Sequence, residues 1–233
     1  MPVIDIQQVK RRHPLGDSFV DALKGVDFQA NKGEFVVLMG ASGSGKSSLL
    51  SIIGAMDEAT SGQVFIAGKN LSSLNDRQKS QLRRDHIGFI FQSFNLIAVL
   101  TALENVMYPL SLQKAKNAKA RATIALQQVG LGDFLQHRPT QLSGGQIQRV
   151  AIARALVTNP AVILADEPTA NLDSKNSTQI IQLMKTLSQE QGLTFILATH
   201  DESIIQSATR VVELKDGLLI KDVSKNHHSE NAR

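Results

Sequence analysis

The 233-residue sequence predicts an α/β fold: a largely parallel sheet, covered on both faces by helices, with a helical segment inserted into it. Three observations lead there. Short apolar runs rich in β-branched residues alternate with stretches of helical spacing. One of those runs leads straight into a glycine- and serine-rich loop and then a helix, the local order that holds phosphate groups. From about Ala102 to Val157 the β texture gives way to a helical one.

Taken in order, Val3 to Met39 reads as strands. Gly25-Val26-Asp27-Phe28 alternates small or polar with apolar residues, Asn31-Lys32-Gly33 is a turn signal, and Glu34 to Met39 is a buried-strand run. The loop Gly40–Ser47 follows, then Ser48 to Ile53 at helical spacing. Gln63 to Ala67 and Ile87 to Phe91 are further strands. Leu112 to Val129, rich in Ala, Lys, Gln and Leu, places its apolar residues at helical spacing and marks the inserted helical region. The strand pattern returns at Ala161–Ala165, Thr194–Ala198 and Arg210–Leu214. The expected organisation is one domain over 1–224, with a helical subdomain at about 93–158, and a loose polar tail over 225–233.

The absence of cysteine excludes disulfides, thiolate metal sites and cysteine nucleophiles. The net charge of +4 is spread along the chain, with only Lys10-Arg11-Arg12 and Arg83-Arg84 clustered, which fits a solvated surface better than a nucleic-acid face. No apolar run reaches the roughly 20 residues that a membrane helix needs. The best candidate, Phe94 to Leu110, is interrupted by Asn95, Thr101, Glu104 and Asn105. Any membrane role is therefore expected to pass through a partner.

The loop Gly40-Ala41-Ser42-Gly43-Ser44-Gly45-Lys46-Ser47 has the spacing G-x-x-x-x-G-K-S. Glycines let several backbone N–H groups converge on phosphate oxygens with no Cβ in the way, and the helix that starts there adds its positive end. Lys46 is a cation placed for the outer phosphates, and the Ser47 hydroxyl suits Mg²⁺. The flanking strand and helix argue against a ligand-free glycine-serine turn.

Val162-Ile163-Leu164-Ala165-Asp166-Glu167-Pro168 is an apolar strand ending in two acids. A strand next to the phosphate loop delivers a carboxylate at its carboxyl end, where ligands sit in open α/β sheets. Asp166 is then a metal ligand and Glu167 a general base near the terminal phosphate. A solvated acid pair is the bland alternative. His200, after the strand Thr194–Ala198, is at the same sheet edge, where it could donate to a phosphate, although a lone strand-end histidine is more often structural. Ser143-Gly144-Gly145-Gln146, opening the helical run Ile147 to Leu156, forms a second anion-ready helix start. Simple capping by Ser143 is the alternative. With one full triphosphate cradle already present, a second anion site about a hundred residues away points to a composite site built by two copies of the chain.

Together these elements resemble the ABC ATPase family: the phosphate loop, Gln92 after Ile87–Phe91, Leu142–Gln146, Val162–Glu167, Asn171-Leu172-Asp173, and His200, in that order. The likeness runs from about Val3 to Ile220, and Leu142–Gln146 is its most specific part. The resemblance implies a P-loop NTPase fold of ABC ATPase type, a RecA-like core with an antiparallel β subdomain and an inserted α-helical subdomain. It implies ATP and Mg²⁺ as cofactors, with ATP held between Gly40–Ser48 of one chain and Ser143–Gln146 of a second copy in a head-to-tail homodimer. It implies Glu167 as catalytic base, His200 on the γ-phosphate, and Gln92 on Mg²⁺ or the attacking water beside Ser47 and Asp166. Asp173 would link the two sites. Phe91–Leu96 would border the groove where a membrane-embedded subunit docks.

The family's adenine-stacking aromatic falls at His13, a departure that makes this contact an open one. The run Asp166–Ser174 and the run Ile87–Gln92 look closest to the bacterial lipoprotein-releasing, macrolide-efflux and cell-division ATPases. That subgroup implies a place on the cytoplasmic face of the inner membrane. A soluble ABC ATPase acting on nucleic acid or ribosomes competes on the basic charge alone, and lacks a second cassette or sustained heptads here. A small-molecule kinase leaves Leu142–Gln146 unexplained.

Overall fold

The computed structural model describes residues 2–16 and 18–225, except the side chains of residues 202 and 203; of the expected tail, residues 226–233 lie outside the described residues. The chain runs through β1 (Ile4–Leu15), β2 (Ser18–Ala30), β3 (Phe35–Met39), α1 (Lys46–Ile53), β4 (Ser61–Ile66), β5 (Lys69–Asn70), α2 (Asp76–His86) and β6 (Ile87–Ile90). It continues through α3 (Ala102–Leu112), α4 (Ala118–Gln128), α5 (Gly144–Leu156), β7 (Val162–Asp166), α6 (Ser174–Gln191), β8 (Phe195–Ala198), α7 (Glu202–Ser207), β9 (Arg210–Lys215) and β10 (Leu218–Ser224).

Two sheets form. One is antiparallel, in the order β2-β1-β4-β5; the other has the order β10-β9-β3-β8-β7-β6. In the second, β9, β3, β8, β7 and β6 pair in parallel and only the β10 edge is antiparallel. Its inner strands β3, β8 and β7 are buried on both faces, which is why they read as unbroken apolar runs. Successive side chains point opposite ways. Val36, Leu38, Leu164 and Ile196 join the antiparallel sheet and α1 in one core cluster. Phe35, Val37, Ile163 and Phe195 join the helices α3 to α6 in the other.

The strand order corrects one expectation. β7 is not the neighbour of β3; β8 lies between them. The acids still reach the phosphate loop, because the parallel strands end together: Leu38 pairs with Ala198 and Asp166 pairs with Ala198. The loop after Met39, Asp166 and the segment after Ala198 therefore share one carboxyl edge.

Helix boundaries also differ from the periodicity in Leu112 to Val129. The chain turns between α3 and α4, with Lys114 and Asn117 at φ 53° and 57°, a left-handed backbone that interrupts a helix. α3 starts at a capping box in which Thr101 Oγ1 accepts from Glu104 N and Glu104 accepts from Thr101 N. α2 carries the same device at Asn75 and Gln78, yet only Leu82 on it is buried. A helix with one buried residue leaves no apolar stripe to read. Among the described residues no helix is long and apolar enough to cross a membrane.

Candidate functional site

The loop Gly40–Ser47 needs its glycines where they stand. Gly40 has φ 154°, and a Cβ there would lie 2.3 Å from Leu214 O and 2.6 Å from Ser44 Oγ. Gly45 has φ 109°, with Ala22 O 2.7 Å from the same imagined atom. Gly45 is the N-cap of α1 and offers no side chain to cap it. The first N–H groups of α1 therefore have no side-chain acceptor, the condition under which a helix start takes an anion.

Lys46 is buried, and its Nζ donates to Gly40 O at 2.7 Å and Ala41 O at 3.0 Å. The ammonium is thus held over the loop by carbonyls that a phosphate, as the stronger acceptor, can replace. Ser47 donates its hydroxyl to Asp166. Burial pushes the Asp166 carboxyl above its ordinary value, and the adjacent Glu167 adds to this; the Ser47 hydrogen bond and Lys46 pull the other way. A carboxylate whose charge is made costly by burial, beside a hydroxyl and a lysine, is a fitting donor set for an oxygen-loving cation such as Mg²⁺.

Glu167 sits at φ 46°, the left-handed region, and its N–H donates to Ala198 O at 2.9 Å. That conformation turns the chain off the end of β7 and aims the side chain along the sheet edge. Thr199 Oγ1 donates to Glu167 Oε2 at 3.1 Å, and His200 Nδ1 lies 2.8 Å from Glu167 Oε1. The histidine side chain is 76% exposed against 20% for the glutamate, so the imidazole can swing away while Glu167 stays anchored by Thr199.

These groups line one open cleft of about 800 Å³: Ser42, Gly43, Gly45–Ser48, Gln92, Asp166, Glu167 and His200. Gly40, Ala41 and Ser44 shape the loop from behind. Ala170 and, from β2, Val20, Asp21 and Ala22 complete the lining, and sequence reasoning did not single them out. The exposed apolar pair Phe19-Val20 was the available signal. His13 is not in the lining, but it pairs with Val20 across the β1–β2 ladder. Residues directly opposite in an antiparallel pair share a face, which puts His13 at the outer rim beside Val20.

Ser143 to Gln146 lies elsewhere. Ser143 Oγ accepts from Gln146 N at 3.3 Å and Gln146 Oε1 accepts from Ser143 N at 2.9 Å, a capping box at the start of α5. Neither these residues nor Gly144 and Gly145 line the cleft. Gly145 packs on α6, where a Cβ would be 2.6 Å from Asn176 Oδ1. Asp173 caps α6, accepting from Asn176 N at 2.8 Å and Asn176 Nδ2 at 2.6 Å; these bonds hold its carboxyl below the usual carboxylate range. Two further links run toward the cleft. Buried Gln148 donates to Pro168 O at 2.6 Å, and Asn171 Nδ2 donates to Gln92 O at 2.9 Å.

A parallel sheet whose carboxyl edge carries a phosphate loop, a metal-suited Asp and a positioned Glu defines a P-loop nucleotide hydrolase. The chain matches the ABC transporter family model over residues 23–170 and belongs to that family. It is 45% identical over 220 residues to the lipoprotein-releasing system ATP-binding protein LolD of Alcanivorax borkumensis, covering 94% of this chain and 96% of that one. It is 46% identical over 221 residues to an uncharacterised ABC transporter ATP-binding protein, MJ0796, of Methanocaldococcus jannaschii, covering 92% and 94%. It is also 44% identical over 223 residues to the macrolide export ATP-binding/permease protein MacB of Syntrophobacter fumaroxidans, of whose length it spans 31%. The dimeric post-hydrolysis structure of the MJ0796 cassette bound to ADP and Pi superimposes with a TM-score of 0.86 at 44% identity, covering 95% of this chain and 98% of that one. This chain is accordingly an ATP-hydrolysing cassette that uses ATP with Mg²⁺ to power a membrane transporter.

Proposed function

We propose that the chain drives a bacterial inner-membrane assembly of the lipoprotein-releasing or peptide- and drug-exporting type, by ATP-dependent closure of a homodimer at the cytoplasmic face. The observation that carries this reading is the separation inside one chain. The anion-ready start of α5 is absent from the cleft that holds the phosphate loop. A second copy, placed head to tail, supplies it: ATP is sandwiched between Gly40–Ser48 of one protomer and Ser143–Gln146 of its partner, with Asp173 of each reaching across. Residues 1–224 act as one domain, with the helical subdomain at about 93–158 carrying the Ser143 element.

Ser47 and Asp166, with Gln92 nearby, would hold Mg²⁺, which would supply charge neutralisation at the phosphates. Glu167 accepts a proton from the attacking water. The water oxygen bonds to the terminal phosphorus as the bond to the bridging oxygen breaks. His200, released from Glu167, donates to the terminal phosphate, and His13 beside Val20 borders the base. Hydrolysis separates the protomers, and the membrane-embedded subunit docked near Phe91–Leu96 converts the cycle into work.

Two experiments test the reading. Lys46→Ala mixed with Ser143→Ala yields some dimers with one intact composite site, so mixtures regain turnover that neither variant has alone; no recovery at any ratio argues against shared sites. Glu167→Gln with ATP and Mg²⁺, used as bait on detergent-solubilised membranes, captures a polytopic membrane protein. Recovery of only ribosomal or nucleic-acid-associated material refutes the membrane role.

A further inference from the structure

We infer that Arg154 is a positioning residue for Gln92: one guanidinium, at the far end of α5 from Ser143, clamps the segment that carries Gln92 and does so on the wall of the surface groove. The geometry is specific. Arg154 donates from one terminal nitrogen to Asn95 O at 2.5 Å and from the other to Phe94 O at 2.9 Å. Phe94 and Asn95 are consecutive left-handed residues, at φ 61° and 50°. Neither is glycine, so this kink persists only where the surroundings hold it. The hydrogen bonds from Arg154 are the hold on its carbonyl side.

Burial lowers the Arg154 pKa, and among the described residues no carboxylate offsets that cost. A half-buried guanidinium that serves stability alone is normally paired with an acid. This one gives its fork to two backbone carbonyls instead, a use that only the kinked segment explains. The other end of the segment is held at Gln92 O by Asn171, which follows Glu167 and Pro168 by a few residues. Gln92 is thereby suspended between the loop of the catalytic acids and the last turn of α5.

Arg154 and Asn95 also line a surface groove with Phe91, Tyr108 and Leu112. This inference rests on the role proposed above for Gln92.

The test is a cycle of Gln92→Ala, Arg154→Met and the double variant in the full chain, with Arg154→Lys alongside. ATP affinity, kcat, the Mg²⁺ concentration for half-maximal turnover, and thermal unfolding are measured for each. Arg154→Met is expected to bind ATP within about twofold of the parent while kcat falls about tenfold and more Mg²⁺ is needed, the mark of a misplaced group rather than a lost site. Arg154→Lys, keeping one donor, recovers part of the turnover. The double variant is no slower than Gln92→Ala alone. A double variant slower by the product of the two single effects overturns the action through Gln92. So does a folded Arg154→Met with parental kcat, or one whose ATP affinity falls in step with kcat. A Gln92→Ala protein with parental turnover instead removes the role of Gln92 itself, and is distinguishable because the Arg154 measurements are not involved.

Discussion

Replacing Gly145 with alanine probes the contact between the Ser143 element and α6. The added Cβ would stand 2.6 Å from Asn176 Oδ1 and 3.0 Å from Asn176 Cγ, too close to remain. If nothing moved, overpacking of this kind would cost about 1–3 kcal/mol. Asn176 can move, because the atom in the way is the end of a rotatable side chain. The cost is then capped by what rotation breaks: the bond from Asn176 Nδ2 to Asp173 Oδ2 at 2.6 Å. That bond lies in solvent, where water replaces it and screens the carboxylate, so its loss costs little. Against it, alanine for glycine in a helix returns roughly 0.5–1 kcal/mol. Both effects are small, so the melting temperature should stay within about 4 °C of the parent.

Function should not be spared. The Asn176 side chain no longer steadies Asp173, whose cap then rests on the Asn176 backbone N–H alone, and a methyl crowds the first turn of α5, where the partner's nucleotide is proposed to lie. Turnover is expected to fall at least about tenfold with unfolding nearly unchanged. Adding Asn176→Ala removes the clash but not the methyl, so it should not restore turnover. Thermal unfolding and steady-state ATPase assays decide it. A melting temperature lower by about 10 °C would show that Asn176 cannot rotate, and parental turnover would refute the placement of Gly145 at the nucleotide.

Glu167→Gln keeps an acceptor for Thr199 Oγ1 but no base; ATP binding should persist while kcat falls about 10²–10⁴-fold, and parental turnover would remove Glu167 from the chemistry. Gly40→Ala places a Cβ 2.3 Å from the backbone oxygen of Leu214, which cannot step aside, so both stability and ATP binding should drop; ATP titration of the purified variant checks this. Asp166 has its folded pKa raised by burial, so its contribution to the nucleotide-free fold is full below the ordinary Asp value and is lost as pH rises through the raised one. Asp166→Asn, neutral at every pH, should therefore melt higher than the parent at neutral pH without nucleotide. The advantage should vanish in acid, and Mg²⁺-dependent turnover should be lost. An Asn variant less stable at neutral pH would contradict the burial argument.

The inner strands and the phosphate loop were legible because each is locally encoded. Phe35–Met39, Val162–Asp166 and Phe195–Ala198 are short apolar runs, and burial on both faces leaves such runs unbroken in sequence. α2 was not legible, because its polar face hides a single buried leucine, though the Asn75–Gln78 capping box marked its start. The break between α3 and α4 was hidden for a related reason: Lys114 and Asn117 turn left-handed without a glycine or proline to announce it.

By itself, then, the sequence determined which chemistry the chain carries. G-x-x-x-x-G-K-S, an acid pair at a strand end and a serine-glycine helix start are each defined by residue type and spacing over a few positions, where local geometry dominates. Only the tertiary structure decided which of them meet. It set β8 between the phosphate-loop strand and the acid strand, and brought Val20–Ala22 into the cleft from the other sheet. It also left Ser143–Gln146 outside that cleft and hung the Gln92 segment between Asn171 and Arg154. Strand order and these long-range hydrogen bonds depend on how whole faces pack across the core, and local periodicity carries no information about that pairing.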